Sequence, residues 1–296
     1  MLDRGELTCL IRRPGAELEL WRCGILSHMR CLTLPWRPAP ETLILSNDEV
    51  HVWRAPLDVP ELHVRSLWYL LTGDECQRAE RYVFEKDQRH FVVARGLLRV
   101  LLGRYLGQDP QHLRFTYGPH GKPALATDMG GDTLRFNVSH SYGLALYAMT
   151  RGREIGVDVE RIRPEVAQET IAEHFFSPRE VTILRALPML LQAPAFFACW
   201  TRKEAYIKAR GKGLSVPLNS FSVSLIPGKP AELLDVQSDP EESSRWSFLE
   251  LVPDSHYVGA LAVEGRDWRP RYRDFLGTDF KRYSVDMFPG TTNNPG

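Results

Sequence analysis

Three acids, a few cations and one histidine hold most of the chemistry this sequence offers. Asp158 and Glu160 lie in Ile155-Gly156-Val157-Asp158-Val159-Glu160-Arg161. Strand alternation places the two valines on one face and both carboxylates on the other. Adjacent carboxylates repel and lose hydration when covered. A divalent cation relieves both costs, and oxygen-only ligands favour Mg²⁺ or Mn²⁺. The alternative is an exposed strand face with neighbouring acids. Glu204 and Lys208 lie in Trp200-Thr201-Arg202-Lys203-Glu204-Ala205-Tyr206-Ile207-Lys208. Four residues apart, they share one helix face, and on an open surface they form an ion pair worth about 0.3–0.5 kcal/mol. Arg210 and the Gly211-Lys212-Gly213 loop add cationic character, so a metal and a phosphate can be held together there. Arg202 and Lys203 read as ordinary surface cations.

Two further clusters precede these. Gly118-Pro119-His120-Gly121-Lys122-Pro123 is a tight turn that presents Lys122 on a stiff backbone. Phe136-Asn137-Val138-Ser139-His140-Ser141 ends a strand in polar groups. Ser139 and His140 there can cap the strand end or donate hydrogen bonds to an anionic ligand. No His and Cys spacing suits zinc, and neither a G-x-x-x-x-G-K-[ST] loop nor a G-x-S-x-G elbow occurs. The remaining kit suits Mg²⁺-assisted attack on a phosphate or pyrophosphate.

Positioning these groups requires strands and long helices. Alternation predicts strands near 47–53, 113–117, 134–139, 143–149 and 155–161, then 221–225, 246–251 and 257–263. Helical periodicity predicts segments over 61–71 and 73–82, the second capped by Thr72, and a long helix over 86–106. Arg89, Arg95, Arg99 and Arg104 are expected to decorate that helix as a mainly solvated face. A helical region over 165–187 precedes a second long helix that starts near Pro194 and stops at Gly211. The order repeats, which predicts an α+β fold of two similar halves, each a small antiparallel sheet packed with one long helix. The expected division is an irregular extension over 1–45, an N-terminal half over 46–152, a C-terminal half with the acids over 153–265, and a tail over 266–296.

At 296 residues the chain can bury a sizeable core. Lys+Arg and Asp+Glu both number 37, so no global field attracts nucleic acid or membrane. No apolar run approaches the ~20 residues that span a bilayer, and the first residues lack a secretory pattern. Five cysteines without C-x-x-C pairing argue against a disulfide framework. A reducing cytoplasm is the expected compartment.

The ordered set Gly121–Pro123, Phe136–Ser141, Gly156–Glu160, Trp200–Lys208 and Gly211–Leu214 closely resembles the 4′-phosphopantetheinyl transferases, in particular their monomeric, pseudo-dimeric type that activates peptide and polyketide synthetases. The resemblance covers roughly 48–264. It implies transfer of the phosphopantetheine arm of coenzyme A to a serine of an apo acyl or peptidyl carrier protein, with release of 3′,5′-ADP. Carried over, Asp158, Glu160 and Glu204 would hold Mg²⁺, with Asp158, Glu204 and Lys208 also facing coenzyme A. Gly121, Lys122, Ser139 and His140 would bind its phosphates and nucleotide. Arg78 would take the 3′-phosphate, with Glu75 standing where some relatives have a second cation, and Arg95 is a further nucleotide-side residue. Once that substrate is granted, Glu204 is suited to removing the serine proton and Lys208 to stabilising the departing phosphate. Phe175–Glu180 and the Lys212 loop are pieces of the implied carrier surface. The competing expectations are a non-catalytic coenzyme A or nucleotide-binding module of the same fold and a Mg²⁺-dependent phosphodiesterase.

Overall fold

A computed structural model of the chain describes residues 35–131, 133–165 and 170–275. The expectations for 1–34 and 276–296 lie outside the described residues. The first half contains β1 (Arg37–Pro38), β2 (Glu49–Pro56), α1 (Glu61–Trp68), α2 (Gly73–Glu80), α3 (Glu85–Leu106), β3 (Phe115–Tyr117), β4 (Pro123–Leu125), β5 (Leu134–Ser141) and β6 (Leu144–Arg151). The second contains β7 (Ile155–Arg161), α4 (Ile171–Phe175), α5 (Pro178–Ala186), α6 (Met189–Arg210), β8 (Phe221–Val223), β9 (Leu233–Val236), α7 (Glu242–Arg245), β10 (Trp246–Leu251) and β11 (Tyr257–Glu264). A last strand, β12, spans Arg269–Asp274. The architecture is α+β, with one long helix and one main sheet in each half.

The larger sheet has the order β1-β12-β2-β6-β5 and the smaller the order β10-β11-β7. Pairing is antiparallel from β2 through β6 to β5 and throughout the smaller sheet. The far edge departs from expectation, because β12 adds to β2 in parallel and β1 to β12 in turn. The expected tail thus returns to complete the first sheet, and Phe275 ends buried in the first core. The strand was hidden because its pairing rests on charge: Arg271 binds Glu49 at 2.8 Å, and Arg54 binds Asp274 at 2.9 Å. Leu43 and Leu45, inside the expected extension, are buried in the same core.

Each long helix covers its own core. The Tyr147 hydroxyl donates to Ala94 O of α3 at 3.0 Å, and Trp53, Leu97 and Leu101 fill the layer beneath. In the second half α6 packs across β7 and β11, with Phe196, Phe197 and Tyr206 in the core. Both helices stop at a left-handed glycine, Gly107 (φ 64°) and Gly211 (φ 63°), the second as expected from the sequence. The start of α6 differs: it begins at Met189 and carries Pro194 inside. The helical region expected over 165–187 divides at Phe176-Ser177, where the Ser177 hydroxyl accepts from Glu180 N and opens α5 with Pro178 in its first turn.

The halves meet along the facing edges of β5 and β7. Alternate residues of β5 bridge the gap with side chains. Val157 N–H donates to Asn137 Oδ1 at 2.9 Å, and the Ser139 hydroxyl donates to Asp158 Oδ1 at 2.8 Å. The Ser141 hydroxyl donates to Glu160 Oε2 at 2.8 Å and accepts from Arg161 N at 3.3 Å. Gly156 lets α6 lie close over this edge, since a methyl group there would overlap Ala205 O and the Ala209 nitrogen.

Candidate active site

The seam draws together residues from three elements. β5 supplies Ser139, His140 and Ser141, β7 supplies Asp158 and Glu160, and α6 supplies Glu204 and Lys208. Lys208 reaches across: its ammonium donates to Asp158 Oδ1 at 2.6 Å and to Ser139 Oγ at 3.0 Å. Its ion-pair partner is therefore Asp158 on the neighbouring strand. The second Asp158 oxygen, Oδ2, is buried with no hydrogen-bond partner. That stranded oxygen marks a carboxylate short of positive charge.

Glu160 and Glu204 share the shortage. Burial raises both carboxyl pKa values, and the Asp158 charge raises them further, against the Ser141 hydroxyl for Glu160 and the Lys208 ammonium for Glu204. His140 reaches solvent at the cleft yet is crowded by its walls. That desolvation, with the positive charge of Lys208 and His90, lowers its pKa and favours the neutral imidazole. Among the described residues, no group of three or more His, Cys, Asp or Glu side chains stands in an arrangement that could hold a metal ion. The acids are gathered but not drawn in.

On α6 the cations divide by direction. Arg202 and Lys203, expected on the surface, are 1% and 0% exposed. Lys203 binds Glu180 at 2.8 Å and donates to Leu218 O and Phe221 O. Arg202 binds Glu250 and donates to Ser224 O. The Tyr206 hydroxyl donates to Glu242 at 2.8 Å. These three anchor the helix to its own half. Glu204 and Lys208 are left half-buried, facing the seam.

The remaining predicted residues lie at one end of the seam. Lys122 donates to Glu154 at 3.0 Å, to Ile155 O at 3.3 Å and to Ala209 O at 2.8 Å, so its protons are committed to the protein. Burial lowers its pKa, with the Glu154 charge opposing. Gly121 holds the turn before it at φ 79°. A cavity of about 280 Å³ beside Lys122 is lined by Thr116, Tyr117, Arg135, Glu154 and Gly211, among others. Arg95 leaves the expected solvated face of α3. It is buried with Arg99 around Glu75, lies 4.0 Å over the Phe115 ring and donates to the Tyr117 hydroxyl at 2.8 Å. Burial pushes the Glu75 carboxyl up, but the Arg99 hydrogen bond and the two guanidinium charges outweigh it and hold the pKa low. Arg78 is exposed on α2, its guanidinium 5.5 Å from the Phe91 ring.

Comparison with known proteins agrees with this layout. Residues 154–262 match the 4′-phosphopantetheinyl transferase superfamily, and 60–151 match the N-terminal part of a 4′-phosphopantetheinyl transferase. The 4′-phosphopantetheinyl transferase HetI of Nostoc sp. is 44% identical over 237 residues, 80% of this chain and 97% of its own. The chain belongs to the 4′-phosphopantetheinyl transferase superfamily. Sfp of Bacillus subtilis, another such transferase, is 33% identical over 52% of this chain and 66% of its own. The human L-aminoadipate-semialdehyde dehydrogenase-phosphopantetheinyl transferase is 26% identical over 78% and 84%.

Sequence reasoning about this transferase missed several seam residues. Asn137 and Ser141 flank Ser139 at strand spacing, so alternation alone places all three on one side of β5. His90 is tied to Asp58 at 2.9 Å and lies close enough to His140 to bear on its pKa. A histidine inside an arginine-rich helix carries no local signal for that position.

Proposed function

We propose that the transferase moves the 4′-phosphopantetheine arm of coenzyme A to a serine of an apo acyl or peptidyl carrier protein and releases 3′,5′-ADP. The observation that carries this reading is the convergence of Asp158, Glu160, Glu204 and Lys208 on one seam, with Asp158 Oδ2 buried and unpartnered. Three carboxylates suit a hard divalent cation, so Asp158, Glu160 and Glu204 would hold Mg²⁺ or Mn²⁺ once drawn together around it. When bound, the ion would neutralise pyrophosphate charge in the reaction.

The chain's own groups account for the rest. Glu204, its carboxyl pKa raised by burial and by Asp158, would serve as the base that takes the proton of the carrier serine. The serine oxygen forms a bond to the phosphorus bearing the pantetheine arm, and the bond from that phosphorus to the 3′,5′-ADP oxygen breaks. Lys208 can turn its ammonium from Asp158 to the departing phosphate as charge builds there. Ser139 and neutral His140 offer hydroxyl and N–H donors to phosphate oxygens without adding charge. Lys122 and Gly121 lie at the nucleotide end, where a phosphate would replace Glu154 on the ammonium. Arg78 remains the exposed cation for the 3′-phosphate, while Glu75 already engages Arg95. We take a reducing cytoplasm as the compartment from the cysteine pattern of the sequence; no described helix is long and apolar enough to cross a membrane. With two halves already enclosing one seam, we take the working form as a monomer.

The test is incubation with coenzyme A, Mg²⁺ and a panel of apo carrier domains, read by mass. Gain of the arm's mass on the carrier is expected. No gain on any carrier would overturn the proposal. Glu204→Gln should lose turnover by orders of magnitude while coenzyme A binding changes far less; a parallel loss of both would deny it the role of base.

A further inference from the structure

The seam has two ends. β5 and β7 run side by side from the Lys122 end, and Asp158 and Glu160 lie along the way. At the far end, one residue beyond Ser141 and Glu160, stand Tyr142 and Arg161. Tyr142 has φ 51°, the one positive-φ residue other than glycine among those described. A bulky residue in that region is strained, and such strain persists where the surroundings hold it. Here they do. Gly143 follows at φ 109°, its carbonyl accepts from Leu57 N at 2.8 Å, and a methyl on it would press against Asp58 Oδ2 at 2.5 Å.

The strained turn puts the Tyr142 ring, about half exposed, against two guanidinium groups. Arg161 lies 5.3 Å and Arg163 5.4 Å from its centroid. Arg161 is exposed, and the Arg163 Nε is buried with no hydrogen-bond partner. Two like charges gathered round one ring repel each other; cation–π attraction of about 0.5–1 kcal/mol apiece and the Glu160 charge, which acts on Arg163 without a direct ion pair, offset that only in part. An anion between them would resolve the repulsion and give the stranded N–H an acceptor.

We propose that Tyr142, Arg161 and Arg163 form a clamp for a carboxylate of the carrier domain close to its reacting serine. This rests on the reading of the reaction given above. The choice of occupant follows from position. The nucleotide of coenzyme A is assigned to the Lys122 end, so the opposite end faces the incoming protein acceptor. The clamp joins the reacting groups through Ser141, whose hydroxyl binds both Glu160 and Arg161 N. A carboxylate seated there therefore sets the distance of the serine from Glu204. The clamp is a determinant of acceptor choice and orientation.

The experiment uses the full chain with an apo carrier domain that the wild type modifies. Tyr142→Gly keeps a residue at ease with positive φ and removes the ring. Arg163→Gln keeps an N–H donor and removes the charge. Each should raise the KM for the carrier about tenfold, the size of one lost charge-assisted bond, with a much smaller change in kcat. Coenzyme A affinity, by titration calorimetry without carrier, should stay within about twofold, and the salt dependence of carrier KM should flatten in Arg163→Gln. An unchanged carrier KM in both variants, with native melting, overturns the clamp. Weakened coenzyme A affinity at constant carrier KM also overturns it, by making the occupant a phosphate of coenzyme A. Failure of the wild type on every carrier is a separate result that removes the proposed reaction.

Discussion

Lys203→Met tests whether the cations of α6 anchor the helix or merely solvate it. Lys203 is 0% exposed and its partner Glu180 1% exposed, so solvent gives the pair almost no screening. The three ammonium protons go to Glu180 Oε2 at 2.8 Å, Leu218 O at 2.8 Å and Phe221 O at 2.6 Å. Glu180 in turn accepts from Ser177 N and Val223 N, each at 2.7 Å. Methionine fills the volume but strands a buried carboxylate and two carbonyls. Breaking such a pair from one side costs about 3–5 kcal/mol, against roughly 5–15 kcal/mol of total stability. At about 2–4 °C per kcal/mol for a chain of this size, the melting midpoint should fall by roughly 6–20 °C. A surface lysine would shift stability by no more than about 0.5 kcal/mol.

The assay is thermal and urea unfolding of Lys203→Met, Glu180→Gln and the double variant. Removing the stranded charge should make the double variant more stable than Lys203→Met alone, with a coupling of about 1–3 kcal/mol. Turnover per folded molecule should hold in Lys203→Met, because Lys203 points away from Glu204 and Lys208. A midpoint within 2 °C of wild type (about 0.5–1 kcal/mol), or strictly additive losses, would refute the buried-anchor reasoning.

Two further outcomes follow from the seam. Glu204 has a folded-state pKa above its unfolded value, so the stability it contributes is present below the ordinary carboxylate range and is lost as pH rises through the raised pKa. Without divalent cations, Glu204→Gln should match the wild type at acidic pH and become the more stable of the two above that pKa. Mg²⁺ should narrow or reverse the gap, and a gap that is constant with pH would show that ionisation of Glu204 is not its origin. Gly156→Ala places a methyl against Ala205 O and the Ala209 nitrogen, so α6 must move away from β7. Overpacking of this kind typically costs about 1–3 kcal/mol. Activity should fall far more than the melting midpoint suggests, because Glu204 and Lys208 ride on that helix, and retained activity would contradict the close approach.

What the sequence made legible was local. Thr72 caps α2 with Glu75 closing the box, Gly211 stops α6, and the alternation of 155–161 set Asp158 and Glu160 toward β5. The Ser177-Pro178-Arg179-Glu180 start of α5 is equally readable as a capping box, a boundary inside the helical region expected over 165–187. Pro194 suggested a helix start, because proline favours first turns, yet α6 carries it in its interior. Long-range electrostatics stayed hidden. Nothing near Lys203 announces Glu180 or the carbonyls of Leu218 and Phe221. Nothing near Arg95 and Arg99 says that Glu75 will be buried between them. β12 has no apolar alternation, because ion pairs with β2 and the parallel ladder do the holding.

The site lies where the free edge of β7 meets β5. β7 is hydrogen-bonded to β11 on one side, so its other edge must find partners or lose them to burial. Had β5 paired with it by backbone, the two sheets would have merged and closed the gap. Instead Asn137 and Ser141 accept from the Val157 and Arg161 N–H groups with their side chains, and Ser139 bonds the Asp158 carboxylate between them, which holds the halves apart by a side chain's length. Into that gap β7 directs its two acids, and α6, brought close by Gly156, adds a third acid and an ammonium. Lys208 on Asp158 then balances only part of the charge, as the unpartnered Oδ2 records. The seam is thus folded in a state that favours further positive charge, which is what the divalent-cation role proposed for its three acids requires.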